Sequence, residues 1–143
     1  MPRSDPPSLT ELALHWRGRF TTSAEWAREL GHHACVTAIG ASASGRPLLA
    51  AVIGTGRRRA TLIAGAHADE PVGPETLRLL VAAAARRDPA LEALLSLWRL
   101  SVVPHINPDG EQANRGWIER WPSVEDYLCR VLREPPGRDI EFG

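Results

Sequence analysis

The chain has 143 residues and no lysine, two cysteines, one tyrosine, two phenylalanines and no net charge. Each shortage excludes something. Cys35 and Cys129 are too few for a disulfide-built scaffold and too far apart for metal-ligand spacing, so both are expected to be reduced packing residues. The 17 basic and 17 acidic residues are interspersed, which removes the electrostatic footprint of a nucleic-acid or anionic-membrane binder. Basicity carried by arginine alone reads as a compositional habit, not as function. The longest small or apolar run, Leu79 to Ala85, falls far short of the ~20 residues of a bilayer span. Met1 to Pro7 is polar and proline-rich, with no apolar stretch behind a basic start, so no secretory signal is expected and the cytoplasm is the expected location. No internal repeat is evident.

What is present suits one domain able to bury a core, since 43% of the residues are hydrophobic. Residues 1–34 read as an amino-terminal helical segment. Ser8-Leu9-Thr10-Glu11 is a capping-box pattern followed by Leu12 and Trp16 at helical spacing. A second box, Thr22-Ser23-Ala24-Glu25, opens a short helix that Gly31 can close. Residues 35–143 read as part of an α/β domain. Val36–Ala41 and Pro47–Ile53 form a predicted hairpin around Ser42–Arg46, and Ala60–Ala66 is a buried strand. A helix over 74–96, broken near Asp88-Pro89, carries Leu77, Leu80, Val81, Ala84 and Ala85 on one stripe. Trp98–Pro104 is a second buried strand, Asn107–Gly110 a turn, and Ser123–Leu132 a closing amphipathic helix. Strand, helix and strand make a right-handed β-α-β unit with parallel strands, so the sheet is mixed.

In open α/β sheets ligands bind beyond the carboxyl ends of the strands. His67-Ala68-Asp69-Glu70 follows the first parallel strand and His105-Ile106-Asn107-Pro108-Asp109-Gly110 the second. Parallel strands bring both polar clusters to one sheet edge. His67 and Glu70 are three apart, and imidazole and carboxylate are both zinc donors. An ordinary solvated loop is the competing reading of the same four residues.

Three motifs in order resemble the amino-terminal part of the zinc carboxypeptidase family. Ile39-Gly40-Ala41-Ser42-Ala43-Ser44-Gly45-Arg46-Pro47-Leu48 resembles its first hairpin. Ala64-Gly65-Ala66-His67-Ala68-Asp69-Glu70-Pro71-Val72-Gly73 resembles its metal motif, and Val103-Pro104-His105-Ile106-Asn107-Pro108-Asp109-Gly110 resembles its Asn-Pro-Asp-Gly turn. The resemblance covers residues 22–110 well and 111–143 loosely. It implies an incomplete carboxypeptidase-like three-layer fold and hydrolysis of a peptide or amide bond beside a terminal carboxylate. It implies zinc as cofactor, with His67 and Glu70 as two of three protein ligands. Asn114, Arg115 and Arg120 become candidates for holding the substrate, and Asp69, Asn107 and Asp109 for shaping the cleft.

This sequence departs from the family's pattern where the third ligand and the general base should be. No histidine follows His105, and Glu111, Glu119, Glu125, Glu134 and Glu141 stand in turn or helix contexts. The chain is therefore expected to be truncated inside a domain, to bind zinc weakly, and to be a poor enzyme or none. Two rival readings stand beside the peptidase. One is a zinc deacylase of the aspartoacylase or succinylglutamate-desuccinylase kind; the other is a non-catalytic fragment or interaction module. His105 is expected to face solvent or bond to backbone, His32-His33 to close a helix and His15 to lie on the surface. Arg57-Arg58-Arg59 reads as a solvated loop that discourages edge pairing, with a phosphate or an acidic partner as the alternative. Gly54-x-Gly56 precedes a strand, not a helix, and so is no dinucleotide fingerprint. The five tryptophans are expected to pack, with Trp117 and Trp121 on one helix face.

Overall fold

The computed structural model describes residues 20–31, 33, 35–118, 123–125 and 128. The helix expected around Leu9–Trp16, most of the closing helix, and His15, His32, Arg120, Trp121 and Cys129 lie outside these positions. Helix α1 spans Ser23–Leu30. Its start is the expected capping box: Glu25 N–H donates to Thr22 Oγ1 at 3.1 Å, and Thr22 N–H donates to Glu25 Oε2 at 3.0 Å. Strands β1, Val36–Ala41, and β2, Pro47–Ile53, form the expected antiparallel hairpin.

Strand β3 covers Arg58–Ile63 and pairs in parallel with β4, Trp98–Val103. Between them come helix α2, Val72–Ala85, a 3-10 turn at Pro89–Leu91, and helix α3, Glu92–Leu97. Sheet order is β1-β2-β4-β3, with β2 antiparallel to β4. The β-α-β unit stands, but β3 is a largely exposed edge strand and not the buried one expected, and it begins earlier: Arg58 and Arg59 belong to the strand, not to a loop. The partner strand explains this. Arg58 pairs in register with Trp98, and its guanidinium lies 5.8 Å from the indole centroid, a cation–π contact that suits a charged residue in a strand. The Asn107–Gly110 segment also differs from expectation. It is the entry to helix α4, Pro108–Ile118, with proline at the first helical position where a missing N–H costs nothing.

One core joins the elements. Trp26 and Leu30 of α1 and Val81 and Ala82 of α2 pack on Ala51, Ile53, Leu100 and Val102 of the sheet. Alternation along β2 and β4 puts those four strand residues on one face. The α2 stripe adds Leu77, Leu80 and Ala84 at its margin. Near the start of α2, Arg78 is buried and its Nη2 lies 2.6 Å from Glu75 Oε1, with Glu29 of α1 at 3.7 Å. Burying such charges is tolerable only because they are paired. Cys35 is a half-buried free thiol. Among the described residues no helix is long and apolar enough to cross a membrane.

Candidate active site

Because β3 and β4 run parallel side by side, the segments that follow them leave the sheet together. Their pairing continues beyond the strands: Ile106 N–H donates to Ala64 O at 3.0 Å and Asn107 N–H to Gly65 O at 3.1 Å. Gly65 turns the chain there with φ +72°, and a Cβ on it would lie 3.2–3.3 Å from Pro74 and His105. Only glycine takes that conformation without strain.

Each residue of the Asn107–Gly110 segment has a task. Asn107 caps α4, its Oδ1 accepting the Gly110 N–H at 2.9 Å, while its Nδ2 donates to Ala66 O at 3.3 Å. Asp109 reaches the hairpin turn, accepting from Ser42 Oγ at 2.9 Å and Ser44 N–H at 3.0 Å, with Arg46 Nε at 3.1 Å. The Ser44 N–H above all, then Ser42 and Arg46, hold its carboxyl below the usual carboxylate range against a smaller desolvation effect. Gly110 lets α4 approach the His67 loop, since a Cβ there would sit 2.8 Å from Ala68 Cβ. The hairpin turn, the His67–Glu70 loop and the start of α4 are thus bolted into one unit.

Beside this unit opens a cleft of about 450 Å3. His67 and Glu70 line it with exposed side chains, and a Glu70 N–H to His67 O contact of 3.3 Å closes the turn between them. Ala68, Pro71 and Pro74 continue that side. His105, Asn107, Glu111 and Arg115 line another part, and Phe20, Thr21, Thr22 and Glu25 a third. Asp69 is half-buried and outside the lining. Asn114 and Arg115 part company: Arg115 lines the cleft, whereas Asn114 is buried and its Nδ2 donates to Gly110 O at 3.0 Å within α4. Asp109 acts on the hairpin turn instead of lining the cleft.

Of the two expectations for His105, facing solvent or bonding to backbone, the first does not hold. Its side chain is 12% exposed, and its Nε2 lies 3.9 Å from Glu111 Oε2. Burial pushes its pKa below the ordinary 6.5, only partly offset by the Glu111 and Glu75 charges. Its position directly beyond a parallel strand was a usable signal. Glu111 and the place of the Phe20–Glu25 segment at the cleft carried none, because their contacts with each other and with the cleft span long sequence separations.

His67 and Glu70 have the chemistry of zinc donors, but a catalytic zinc takes three protein ligands. Among the described residues no group of three or more His, Cys, Asp or Glu is arranged to hold a metal ion. Those residues supply a pair of donors and not a full set.

The fold resembles that of the bovine thrombin-activatable fibrinolysis inhibitor, solved in complex with tick carboxypeptidase inhibitor. The TM-score is 0.56 at 17% identity, and the match covers 72% of this chain and 36% of that chain. This chain therefore spans little more than a third of that neighbour's length. A comparison with curated proteins returns no match. The family model for zinc carboxypeptidases matches residues 24–140, which take in α1 from its second residue, the hairpin, the His67–Glu70 loop and the Asn107–Gly110 entry to α4. The chain belongs to the zinc carboxypeptidase family.

Proposed function

We propose that the chain is part of a zinc-dependent hydrolase that cleaves a peptide or amide bond beside a terminal carboxylate. His67 and Glu70 serve as two of the zinc's protein ligands, and Arg115 receives the substrate's carboxylate. Asn107 and Asp109 hold the His67–Glu70 loop and the hairpin turn in register with α4. The observation that carries this reading is the shared cleft: an imidazole, a carboxylate and a guanidinium converge beyond the carboxyl ends of parallel strands, where α/β sheets bind ligands. His67 and Glu70 would hold the ion, which with a full ligand set would supply an activated water and a polarised carbonyl.

The test is hydrolysis by the purified chain in the presence of zinc. Benzoylglycyl dipeptides with a free carboxylate are compared with N-acetylated amino acids, using His67→Ala and Glu70→Ala as controls. Cleavage of the dipeptides, lost in both variants, supports the reading. Preference for N-acetylated amino acids replaces it with the deacylase. Hydrolysis of neither substrate class at any zinc loading refutes catalysis by this chain and leaves a non-catalytic module.

A further inference from the structure

Three successive backbone N–H groups at the entry to α1 each donate to a carboxylate, and each carboxylate belongs to a different element. Thr21 N–H donates to Glu75 Oε2 of α2 at 2.9 Å, and Thr22 N–H to Glu25 Oε2 of α1 itself at 3.0 Å. Ser23 N–H donates to both oxygens of Glu111 of α4, at 3.0 and 3.1 Å, and the Ser23 hydroxyl donates to the same carboxylate. The Glu25 contact is ordinary helix capping. The other two are not local: they span 54 and 88 residues.

They are not the only contacts that dock α1. Trp26 and Leu30 are 3% and 7% exposed and already anchor that helix in the core. What the two distant carboxylates fix is Thr21, before the helix, and Ser23, its first residue, and the Phe20, Thr21 and Thr22 that these contacts bracket or adjoin line the cleft that holds His67 and Glu70. Glu75 is itself locked, buried against Arg78 at 2.6 Å. Glu111 sits at the start of α4, on the helix whose entry is bolted to the His67–Glu70 loop. Segment and loop therefore share one rigid frame. A wall that must hold a set distance from a reacting group needs such a frame, because small misplacements are costly to catalysis and to recognition.

We propose that Phe20–Ser23 is a fixed wall of the substrate cleft. Glu75 and Glu111 are its positioning residues, and Phe20, the largest apolar side chain in the lining, limits the size of the substrate side chain the cleft accepts. The identity of the ligand rests on the hydrolase reading above; the anchoring of the wall does not.

Two measurements on the full chain test this. Hydrogen exchange is followed in the wild type, Glu111→Ala and Glu111→Gln, with the amides of β4 as the folding control. At least tenfold faster exchange at residues 21–24 in Glu111→Ala, and a smaller rise in Glu111→Gln, is expected while β4 stays protected. Unchanged exchange at 21–24 overturns the positioning role, and Glu111→Gln decides the point should the alanine variant fail to fold. Calorimetry then compares benzoylglycyl dipeptides ending in Ala, Leu or Phe on the wild type and Phe20→Ala. The ratio of affinities for the Phe-ended over the Ala-ended dipeptide should rise at least fivefold in Phe20→Ala. Binding by both chains with an unchanged ratio overturns the specificity role and leaves the hydrolase reading standing. Binding by neither chain refutes that reading, and with it the assignment of Phe20.

Discussion

Replacing Asn107 by alanine should cut the joint between α4 and the loop that carries His67 and Glu70. Two side-chain bonds to described residues vanish. The first is the helix cap to the Gly110 N–H at 2.9 Å, whose loss costs about 1 kcal/mol. The second is the Nδ2 donation to Ala66 O. At 3.3 Å it is longer than a typical N–H···O bond, so its net share is about 0.5 kcal/mol. The sum is about 1.5 kcal/mol. With a urea m-value of about 2 kcal/mol/M, the unfolding midpoint should fall by about 0.75 M. Asn107→Asp keeps an oxygen to cap the helix but has no N–H to give Ala66. It should lose about 0.5 kcal/mol, or about 0.25 M in midpoint. Urea titration followed by tryptophan fluorescence reads both variants. A midpoint for Asn107→Ala within about 0.2 M of wild type would refute the joint. So would an aspartate variant as unstable as the alanine one, since the cap would then contribute nothing.

Gly110→Ala places a methyl group 2.8 Å from Ala68 Cβ and 2.6 Å from Asn107 Nδ2, so overpacking should cost about 1–3 kcal/mol by thermal unfolding. Ala68→Gly in the same chain should restore part of that loss; no recovery would mean that the approach of α4 to the loop is not what excludes a side chain. Glu75 should contribute an acid-sensitive share of stability. Burial raises its pKa, but the Arg78 hydrogen bond, the Thr21 N–H and the Arg78 charge together bring it below the ordinary 4.5. The unfolded chain therefore takes up this proton first, and the stabilisation, complete above the ordinary value, is lost as pH falls through the folded pKa. Stability measured against pH should slope less steeply in acid for Glu75→Gln than for wild type, and parallel curves would contradict the pairing.

Much of the fold was legible because its signals are local. Thr22 and Glu25 stand three apart and cap one helix; the strand residues Ala51, Ile53, Leu100 and Val102 alternate; Ser42–Arg46 joins two strands of the right period. The edge of the sheet where the cleft opens was also readable, since it follows from parallel strands alone. Other features needed the partner to be seen. Arg58 joins β3 because Trp98 on the neighbouring strand offers it a ring. Asn107–Gly110 reads as a turn in isolation, because Asn, Pro, Asp and Gly are turn formers, yet the same residue types cap and open a helix when apolar spacing continues beyond them. Asp109 bonding to Ser42 and Ser44 links residues 65 to 67 apart, and the Glu111 contact with Ser23 spans 88. Nothing in the spacing of those letters announces such contacts. The solvent-facing alternative for His105 fails because Gly65 and Glu111 crowd it from two other elements, which its place at a strand end does not reveal.

The most direct test of the account is zinc binding to the purified chain, titrated calorimetrically against a competing chelator in the wild type, His67→Ala, Glu70→Ala and a His33→Ala control. One weak site is expected, abolished by either substitution in the His67–Glu70 loop and untouched by the control. Zinc bound equally well without His67 or without Glu70 would contradict it.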